Sequence, residues 1–416
     1  MTRKGAAKKI LILTPQFPYP PHQGTTIRNY NLIAGLAQAN EIHLLSFGDP
    51  AQIDNTPLPG LCQSVQVVEP PQRSMRQRLA GLFFSRLPDM AQRLPSPTFE
   101  ETLRGTLVRE APDVVEVEGI ELAQYLLQVA GSRTGPGRPL LVFDDHNAEY
   151  VLQQRAFETD ARNPRRWIAA AYSFVQWQRL RAYERRTCRA ADRVVAVSEA
   201  DAEALRRLVP GLVAIVVPNG VDMAFYAEAG PALDIAHAPV EGDLVFTAKM
   251  DFRPNVDAVL WFAREVLPLV RRAAPGTRFW IVGKDPHPRL APLRDDPAVE
   301  ITGWVADQRP YIAAAGVYVI PLRIGGGTRL KVLEAMAMGK PIVSTTLGCE
   351  GFDVVPGREL LVADTPAEFA EATLRLLADP ALRQRLGEAG RAFAAAGYEW
   401  RMIVPRLEAV YKMGSG

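Results

Sequence analysis

Residues 317–345 read VYVIPLRIGGGTRLKVLEAMAMGKPIVST, and this stretch decides the fold class. It begins with a mostly β-branched run that stops at Pro321, which predicts a short buried strand. Three consecutive glycines then let the backbone turn without side chains in the way. Leu330, Leu333 and Ala337 recur at helical spacing, and a glycine and a proline precede the next β-branched run. The stretch therefore predicts a strand, a glycine loop, a helix and a second strand.

The start of this helix is a predicted anion site. Unpaired backbone N–H groups and the helix dipole attract a phosphate, and Thr328 is placed to cap the helix. A carboxylate one and a half turns further along can accept hydrogen bonds from sugar hydroxyls, so we predict a phosphorylated sugar or nucleotide as the ligand. The residues predicted to hold it are Gly325, Gly326, Gly327, Thr328, Arg329, Leu330 and Glu334. Many glycine loops between a strand and a helix bind no ligand, so the phosphate site needs support from neighbouring motifs.

Composition indicates a globular protein of two or three domains, with 416 residues of which 48% are hydrophobic. The net charge of +2 and the lack of a basic run that resembles a DNA-reading helix or an RNA-binding signature argue against nucleic acid as a partner. Cys62, Cys188 and Cys349 lie far apart and lack metal-ligand spacing, which indicates packing residues in a reducing compartment. No apolar run has the length of a signal-peptide core or a membrane span, so we predict a cytoplasmic protein.

Strand-like runs alternate with helical patterns along the chain, which predicts an α/β fold with parallel sheets covered by helices. The first series of predicted strands comprises residues 9–14, 42–47, 65–68, 114–117, 140–144, 194–197 and 213–217. The second series comprises residues 244–247, 279–282, 299–302, 317–320, 342–344 and 360–363.

Each series suffices for one doubly wound, Rossmann-like domain, whose ligand lies at the carboxyl ends of the strands. The segment between the two series is rich in turn formers. We predict an N-terminal domain over residues 1–217, a linker region over 218–239, a C-terminal domain over 240–396 and a final helix within 397–416.

Several phrases, in their order and spacing, resemble the retaining nucleotide-sugar glycosyltransferases of family 4. These phrases are ILILTPQFPYPPHQGTTIRNYNL, VFDDHNAEY, ADRVVAVSEAD, VPNGVD, IVGKD and LEAMAMGKPIVS. The resemblance implies the GT-B architecture, in which two Rossmann-like domains face each other across a cleft and the last helix crosses back to the first domain. It also implies that the acceptor binds mainly to the N-terminal domain and the nucleotide-sugar donor mainly to the C-terminal domain.

Carried over to this chain, the resemblance assigns Glu334 to the donor ribose. The first glutamate of the family's pair is absent, because Gly326 occupies its position. Lys249 matches the first of the two basic residues that hold the diphosphate. The second falls on Pro254, which leaves the neighbouring Arg253 as a substitute.

In the N-terminal half, His146 matches the family's histidine near the donor sugar and the reaction centre, and Gly24 belongs to the loop that approaches the donor phosphate. His146 and Lys249 are therefore the predicted catalytic residues. From the residues alone, a loop histidine paired with Asp144 or Asp145 explains His146 equally well.

Two further groups of charged residues lie in or near the motifs. Lys284, Lys331 and Lys340 fall in or beside motif segments, and we interpret them as solvated charges. Glu116 and Glu118 end the run VVEVE, and we interpret them as surface or cleft-lining carboxylates.

The resemblance implies that the acceptor hydroxyl attacks on the face from which the nucleotide diphosphate leaves. No metal or other cofactor is expected, because no Asp-x-Asp cluster has a metal-ligand context and the helix start with Lys249 can replace a divalent ion. The expected donor is a nucleotide-sugar, UDP-sugar being favoured over GDP-sugar. The expected acceptor is a saccharide or lipid-linked saccharide in surface polysaccharide or glycolipid synthesis.

Residues 73–93 and 165–186 interleave arginines with large apolar side chains. Such a pattern is typical of a helix lying on a membrane surface, and equally of an ordinary amphipathic helix with solvated arginines. Peripheral contact with the inner face of the membrane is therefore one expectation.

Other function classes stay open beside the glycosyltransferase. A GT-B-like epimerase needs carboxylates around the donor, for which Glu116 and Glu118 are the available pair, and a phosphorylase transfers to free phosphate. Gly326 and Pro254 also fit an inactive nucleotide-sugar-binding protein. A dehydrogenase is disfavoured, because no intact GxGxxG follows the first strand.

Overall fold

The computed structural model describes residues 7–74, 76–77, 81, 85–132, 138–162, 164–230 and 238–413. Within these, the residues up to Pro218 together with those from Ile403 form one compact unit, and Asn219–Met402 form a second. The first is called the N-terminal unit below and the second the C-terminal unit.

The N-terminal unit is built on a seven-stranded parallel sheet in the order β3-β2-β1-β4-β5-β6-β7. Its strands are β1 Lys9–Thr14, β2 Glu41–Phe47, β3 Ser64–Val68, β4 Val114–Glu118, β5 Leu140–Asp145, β6 Arg193–Ala196 and β7 Ala214–Val216. Its helices within the described residues are Gly24–Leu36, Leu58–Leu61, Pro97–Glu110, Ala123–Ser132, Glu149–Ala161, Trp167–Ala190 and Glu199–Leu208. Most central-strand residues are buried, as expected where helices cover both faces of a parallel sheet.

The C-terminal unit is built on a six-stranded parallel sheet in the order β10-β9-β8-β11-β12-β13. Its strands are β8 Leu244–Thr247, β9 Phe279–Val282, β10 Val299–Gly303, β11 Val317–Ile320, β12 Ile342–Ser344 and β13 Leu361–Val362. Its described helices are Met223–Ala227, Arg253–Trp261, Leu267–Ala273, Arg309–Ala314, Leu330–Ala337, Pro366–Ala378 and Pro380–Gly397, and a π-helical turn spans Phe262–Val266. Trp280, Tyr318 and Phe246 are among the large side chains fully buried in its core.

The last helix, Trp400–Lys412, begins in the C-terminal unit, and its residues from Ile403 belong to the N-terminal unit. Ile403, Leu407, Val410 and Tyr411 are buried. Val404 lies so close to Gly35 that a Cβ on that glycine would come within 2.3 Å of a Val404 methyl carbon.

The α/β fold with two parallel, Rossmann-like sheets is confirmed, and each predicted strand run coincides with an observed strand to within a few residues. The segment predicted as linker differs in part, because its described residues from Asn219 onward pack with the C-terminal unit. One cause is the bridge between Val221 and Glu399, in which the Val221 N–H donates to the carbonyl of Tyr398 at 2.7 Å.

The three cysteines are buried, unpaired thiols, as expected of packing residues. Among the described residues, no helix combines the length and apolar character needed to cross a bilayer.

A close backbone contact fixes the helix that follows the glycine loop. Gly339 ends this segment with φ of 66°, and it lies against Gly387 in the helix Pro380–Gly397. A Cβ on Gly387 would come within 2.0 Å of the Gly339 carbonyl oxygen, which is backbone and cannot swing away. Glycine at position 387 therefore sets the position of the helix Leu330–Ala337 against its neighbour.

We predict that Gly387→Ala lowers the free energy of unfolding by about 1–3 kcal/mol, because the two backbones must move apart. Gly397→Ala is the matched control, since it lies in the same helix with nothing within 4 Å of the added Cβ. It should change stability by no more than about 1 kcal/mol. Urea unfolding of both variants measures the difference, and similar losses would contradict the proposed backbone clash.

Candidate functional site

In the C-terminal unit, the order of the strands brings two distant loops together. β8 and β11 are neighbours in the sheet although two strands lie between them in sequence, so this pair is a topological switch point. The loop after β11 contains the three glycines. Gly325 has φ of 111°, and a Cβ there would lie 3.4 Å from Pro254, which follows β8. The glycine loop therefore packs directly on the start of the helix Arg253–Trp261.

Asn255 joins the two loops through its side-chain amide. Its Nδ2 donates to the carbonyl of Lys249 at 2.9 Å, and its Oδ1 accepts from Nζ of Lys331 at 3.2 Å. Arg253 is the first residue of the same helix and is half-exposed. Lys249, Arg253 and the glycine loop, which the sequence predicts as one donor site, therefore lie at the same end of this sheet.

The side chain of Lys249 is 46% exposed and carries its charge beside two carboxylates. Nζ lies 3.0 Å from Asp251 and 4.0 Å from Asp285. The hydrogen bond to Asp251 and the negative charges raise the pKa of Lys249, so this lysine is a cation at neutral pH. Because its ammonium is charged and partly exposed, Lys249 can also pair with an anionic ligand from solvent.

The predicted cap of the glycine-loop helix is wrong. The helix begins at Leu330, and its N-cap is Arg329, whose side chain makes no capping bond. Oγ1 of Thr328 instead accepts from Nδ2 of Asn219 at 2.8 Å, and Arg329 folds back to donate to the Gly326 carbonyl. No side chain therefore caps the first N–H groups of this helix.

Glu334 is half-buried and held by neutral donors. Nε2 of Gln308 donates to its carboxylate at 3.2 Å, and Tyr226 also forms a side-chain hydrogen bond with it. Burial raises the pKa of Glu334, while the Tyr226 bond and Lys331 oppose that rise. The carboxylate is thus positioned on the helix behind the glycine loop, with a fixed orientation.

The interpretation of Lys331 and Lys340 as solvated charges is wrong. Burial lowers the pKa of Lys331 to about 7, with Arg329 adding to the effect, and its Nζ lies 4.1 Å from the Phe246 ring centre. Lys340 donates to the carbonyl of Ala313 at 3.0 Å, and burial lowers its pKa to about 8. Neighbouring elements cover both long side chains, and sequence spacing alone does not reveal that cover.

The N-terminal unit has a second site at its own switch point, between β1 and β4. A pocket of 340 Å³ opens there at the carboxyl ends of the strands. Its lining residues are Pro15, Gln16, Gln23, Thr25, Arg93, Leu94, Gly119, Ile120, Glu121, Asp145, His146, Asn147 and Glu149. Gly24 is exposed and begins the helix Gly24–Leu36 between two of these residues. The predicted His146 therefore lines a pocket, and the loop that carries Gly24 forms part of its wall.

His146 pairs with a different carboxylate from the ones expected. Its Nε2 lies 2.6 Å from Oε2 of Glu118, and neither Asp144 nor Asp145 takes that place. The imidazole is 15% exposed, and burial lowers its pKa, which favours the neutral ring. With its amide nitrogen turned toward Glu118, Asn29 donates to the same Oε2 at 3.1 Å. Glu118 therefore orients the histidine at the pocket wall.

Glu116 and Glu118 are not surface or cleft-lining groups, because both are fully buried on β4. Tyr411 of the last helix donates its hydroxyl to Glu116. Burial, reinforced by neighbouring carboxylates, raises the pKa of Glu116 and of Glu118 well above the ordinary range. These carboxyls hold the interior of the N-terminal unit together and do not face a ligand as a pair.

Arg28 is a further residue of this site, and none of the sequence motifs points to it. It is 2% exposed, and its guanidinium donates twice to Oδ2 of Asp144, at 2.6 and 3.2 Å, and once to the Pro218 carbonyl. Burial opposes its charge, but Asp144 and Glu118 outweigh burial and raise the pKa of Arg28. Its position four residues before the buried Leu32 was the available signal, since a charge on the apolar stripe of a helix needs a partner.

Glu118, Asp144 and His146 each bring a ligand atom within 4.8 Å of the others, a spacing that suits a metal ion. The positive charge at this place is already provided by Arg28, which donates to Asp144. The donor set is also engaged, because Glu118 faces both His146 and Asn29. We therefore interpret the group as a charge network, and metal independence stays a prediction.

Two family models match the chain in succession. The model described as Glycosyltransferase Family 4 matches residues 23–225, and the model described as Glycosyl transferases group 1 matches residues 241–379. Together they account for most of the chain, the first covering β2 to β7 and the second covering β8 to β13.

Individual relatives match more weakly. The GDP-mannose-dependent monoacylated alpha-(1-6)-phosphatidylinositol monomannoside mannosyltransferase of Corynebacterium glutamicum is 27% identical over 209 residues, 46% of this chain and 54% of its own length. The chain spans about half to three fifths of the length of the first curated relatives it matches.

Solved structures match over nearly the whole chain at lower identity. Sucrose-phosphate synthase from Thermosynechococcus elongatus superposes with a TM-score of 0.70 and 18% identity, covering 97% of this chain and 98% of that one. The HepE protein of Anabaena in complex with UDP-glucose gives 0.63 and 16%, covering 98% and 100%. At these identities the likeness concerns the fold.

We predict that Arg28→Met lowers the free energy of unfolding by about 3–5 kcal/mol, because it leaves the buried Asp144 carboxylate without its cation. Replacing both partners, in an Arg28→Met, Asp144→Leu double variant, should recover much of that loss. The control is Arg93→Met at the pocket rim, whose 51% exposed side chain pairs with Asp89 and Glu121 and should contribute about 1 kcal/mol or less. Chemical denaturation separates the cases, and equal effects at positions 28 and 93 would argue against a buried pair.

Proposed function

We propose, from the premise that this chain belongs to glycosyltransferase family 4, that it moves a sugar from a nucleotide-diphosphate sugar to an acceptor hydroxyl with retention of configuration. The observation that carries this proposal is the meeting of the glycine loop, Lys249 and Glu334 at one sheet end. A helix start and a cation suit a diphosphate, and a half-buried carboxylate suits a ribose.

In this proposal, the leaving diphosphate is stabilised by Lys249, by Arg253 and by the amides of Gly325–Thr328. These groups are held in place before the reaction, so charge that develops on the leaving oxygen meets dipoles that need not reorganise. The departing phosphate can take the proton of the acceptor hydroxyl, and no dedicated protein base is then required. The substitution of glycine for glutamate at position 326 leaves more of the sugar recognition to backbone groups.

His146 has a positioning task near the donor sugar in this scheme. Its lowered pKa favours a neutral ring, and Glu118 occupies Nε2, so Nδ1 is the ring atom left to face a ligand. A neutral imidazole can hydrogen-bond a sugar hydroxyl without adding charge. The epimerase alternative loses support, because Glu116 and Glu118 are buried in the charge network.

We propose UDP-sugar ahead of GDP-sugar as the donor, without a metal. The HepE protein, which shares the fold, was solved with UDP-glucose, whereas the mannosyltransferase relative is named for GDP-mannose. The proposed acceptor is a saccharide or lipid-linked saccharide in surface polysaccharide or glycolipid synthesis at the inner face of the membrane. The same relative is named for a phosphatidylinositol mannoside acceptor.

The test is a thermal-shift screen against UDP, GDP, ADP and TDP sugars with and without magnesium, followed by a hydrolysis assay of each hit. We expect a metal-independent shift with one nucleotide series and slow sugar release. Glu334→Ala should reduce that shift because it removes the carboxylate that accepts hydrogen bonds from the donor ribose in this proposal. The control is Glu300→Ala, an exposed β10 carboxylate that should leave the shift unchanged.

The possible outcomes separate three interpretations. Binding with sugar release supports the transferase and identifies its donor. Binding without release, even after acceptor screening, favours the inactive nucleotide-sugar-binding protein that Gly326 and Pro254 also fit. An unchanged shift in Glu334→Ala would refute the assignment of the ribose to Glu334.

We also propose that the N-terminal unit contacts an anionic membrane surface through the helix Trp167–Ala190. The first half of this helix exposes large apolar side chains. Their exposed fractions are 69% for Trp167, 69% for Ile168, 42% for Tyr172, 44% for Phe174 and 36% for Val175. An apolar surface of this kind on one helix marks an interaction site.

The second half of the same helix carries positive charge. Arg181, Arg186 and Arg189 are exposed and form no ion pair with any described residue. A helix with exposed apolar side chains in one half and arginines without ion pairs in the other matches the boundary between acyl chains and anionic headgroups. In the other predicted segment, Met75, Leu79, Leu82 and Phe83 lie outside the described residues.

The same helix is fixed to the pocket of the N-terminal unit. Both carboxylate oxygens of Glu184 accept backbone N–H bonds, from Glu149 at 2.9 Å and Tyr150 at 3.0 Å. These residues begin the helix that directly follows His146 and Asn147. Contact with a membrane would therefore hold the pocket at a set height above the lipid, where a lipid-linked acceptor arrives.

We predict that the Trp167→Ser, Ile168→Ser double variant sediments with vesicles containing anionic lipid at least about tenfold more weakly than the unaltered protein, because its apolar contact is lost. Val108→Ser is the matched control, since Val108 is 86% exposed on another helix of the same unit. Its vesicle binding should not change. Absence of vesicle binding by the unaltered protein would refute the proposed membrane contact.

A further inference from the structure

The donor site proposed above has no basic residue at position 254, where the resemblance expects one. Position 254 carries a proline, which is buried at the start of the helix Arg253–Trp261 and lies against Gly325. This packing leaves no charge where the resemblance expects one. The diphosphate gains a negative charge as its bond to the sugar breaks, so a site without metal benefits from a further cation close to this junction, beside Lys249 and Arg253.

Lys331 projects to that junction from the opposite loop. It is the second residue of the helix after the glycine loop, and its Nζ lies 3.2 Å from Oδ1 of Asn255, the residue directly after Pro254. The ammonium also lies 4.1 Å from the centre of the Phe246 ring on β8. The side chain of Lys331 therefore bridges from one phosphate-binding loop to the start of the other.

We propose that Lys331 is a further phosphate-binding cation of the donor site, beside Lys249 and Arg253, and that it supplies from the opposite loop the positive charge that is absent at position 254. This inference rests on the proposed function, because it assumes a diphosphate donor. The cation is supplied by the helix after β11, whereas the resemblance expects it from the helix after β8. Its side chain is a binding group for the donor diphosphate.

No carboxylate of the described residues lies within ion-pair distance of the Lys331 ammonium. The charged groups near its ammonium are Arg329, which repels it, and Glu334, which attracts it. Glu334 is already engaged by Gln308 and Tyr226, and the other neighbours, Asn255 and Phe246, do not titrate. Among the described residues, Lys331 forms no ion pair within 4.0 Å. A half-buried lysine without a counterion is expected to bind an anion from solution.

Proton uptake on diphosphate binding distinguishes a phosphate-binding Lys331 from a structural one. Burial lowers the pKa of Lys331 to about 7 in the free protein, so near pH 8 most molecules hold it neutral. A bound diphosphate favours the charged form and raises that pKa. Binding near pH 8 should therefore take up close to one proton, and affinity should fall as pH rises above about 7.

The experiment is isothermal titration calorimetry of the full chain with UDP near pH 8, in two buffers that differ in ionisation enthalpy. The unaltered protein should take up about one proton. Lys331→Met should bind UDP about tenfold more weakly, with no uptake. Lys331→Arg should keep a cation that is always charged, and so should bind without uptake.

Two further variants serve as controls. Lys249→Met should weaken UDP but keep the uptake, because Lys249 is already protonated. Lys340→Met changes a lysine that is also partly buried, just beyond the same helix, and should leave both UDP affinity and uptake unchanged.

The results that would overturn the inference are distinct from failure of the proposed function. If UDP binds and Lys331→Met leaves affinity and proton uptake unaltered, Lys331 is a structural lysine that satisfies Asn255. If Lys331→Met and Lys340→Met weaken UDP equally, the effect is on the helix and not on the cation. If the unaltered protein binds neither UDP nor GDP, the proposed donor site fails, and the role of Lys331 fails with it.

Discussion

The lateral pairing of β8 with β11 is the constraint on which the proposed donor site depends. Two strands separated by about seventy residues become neighbours, and their carboxyl ends place the glycine loop against the start of the helix Arg253–Trp261. Gly325 accepts this contact because it has no side chain and adopts a positive φ. Asn255 then bonds to both loops, so the geometry at the junction is shared between them. A ligand that meets one loop at this place meets both.

A different principle organises the N-terminal unit. Its sheet end is polar inside as well as outside, because Arg28, Asp144 and Glu118 are buried together beneath the pocket. Burying charge is costly unless every group has a partner, and here each carboxyl faces a guanidinium, an imidazole, an amide or a hydroxyl. Glu116 extends this network to Tyr411, so the end of the chain stabilises the strand behind the pocket. The same bonds that stabilise this unit also orient His146.

Local patterns were sufficient for the architecture, and long-range contacts were not visible in them. β-Branched runs at regular spacing predicted both sheets, since burial on both faces of a parallel sheet demands continuous apolar strands. Thr328 does not cap the helix, because its hydroxyl oxygen accepts a hydrogen bond from Asn219, more than a hundred residues earlier in the chain. Arg28 and Glu116 were overlooked or misplaced because their partners Asp144 and Tyr411 are distant in sequence. Lys331 was taken for a surface charge because helical spacing gives the direction of a side chain but not what covers it.

The amino-acid sequence by itself determined the two parallel α/β units, the glycine loop and the residue types available for a phosphorylated ligand. These depend on periodicity, turn chemistry and helix propensity, which act between near neighbours. Only the tertiary structure decided which charges are buried, which cation faces the loop junction and which carboxylate holds His146. Burial and pairing depend on elements that meet through strand order, and the energy of a charge is set by its surroundings, not by its place in the chain.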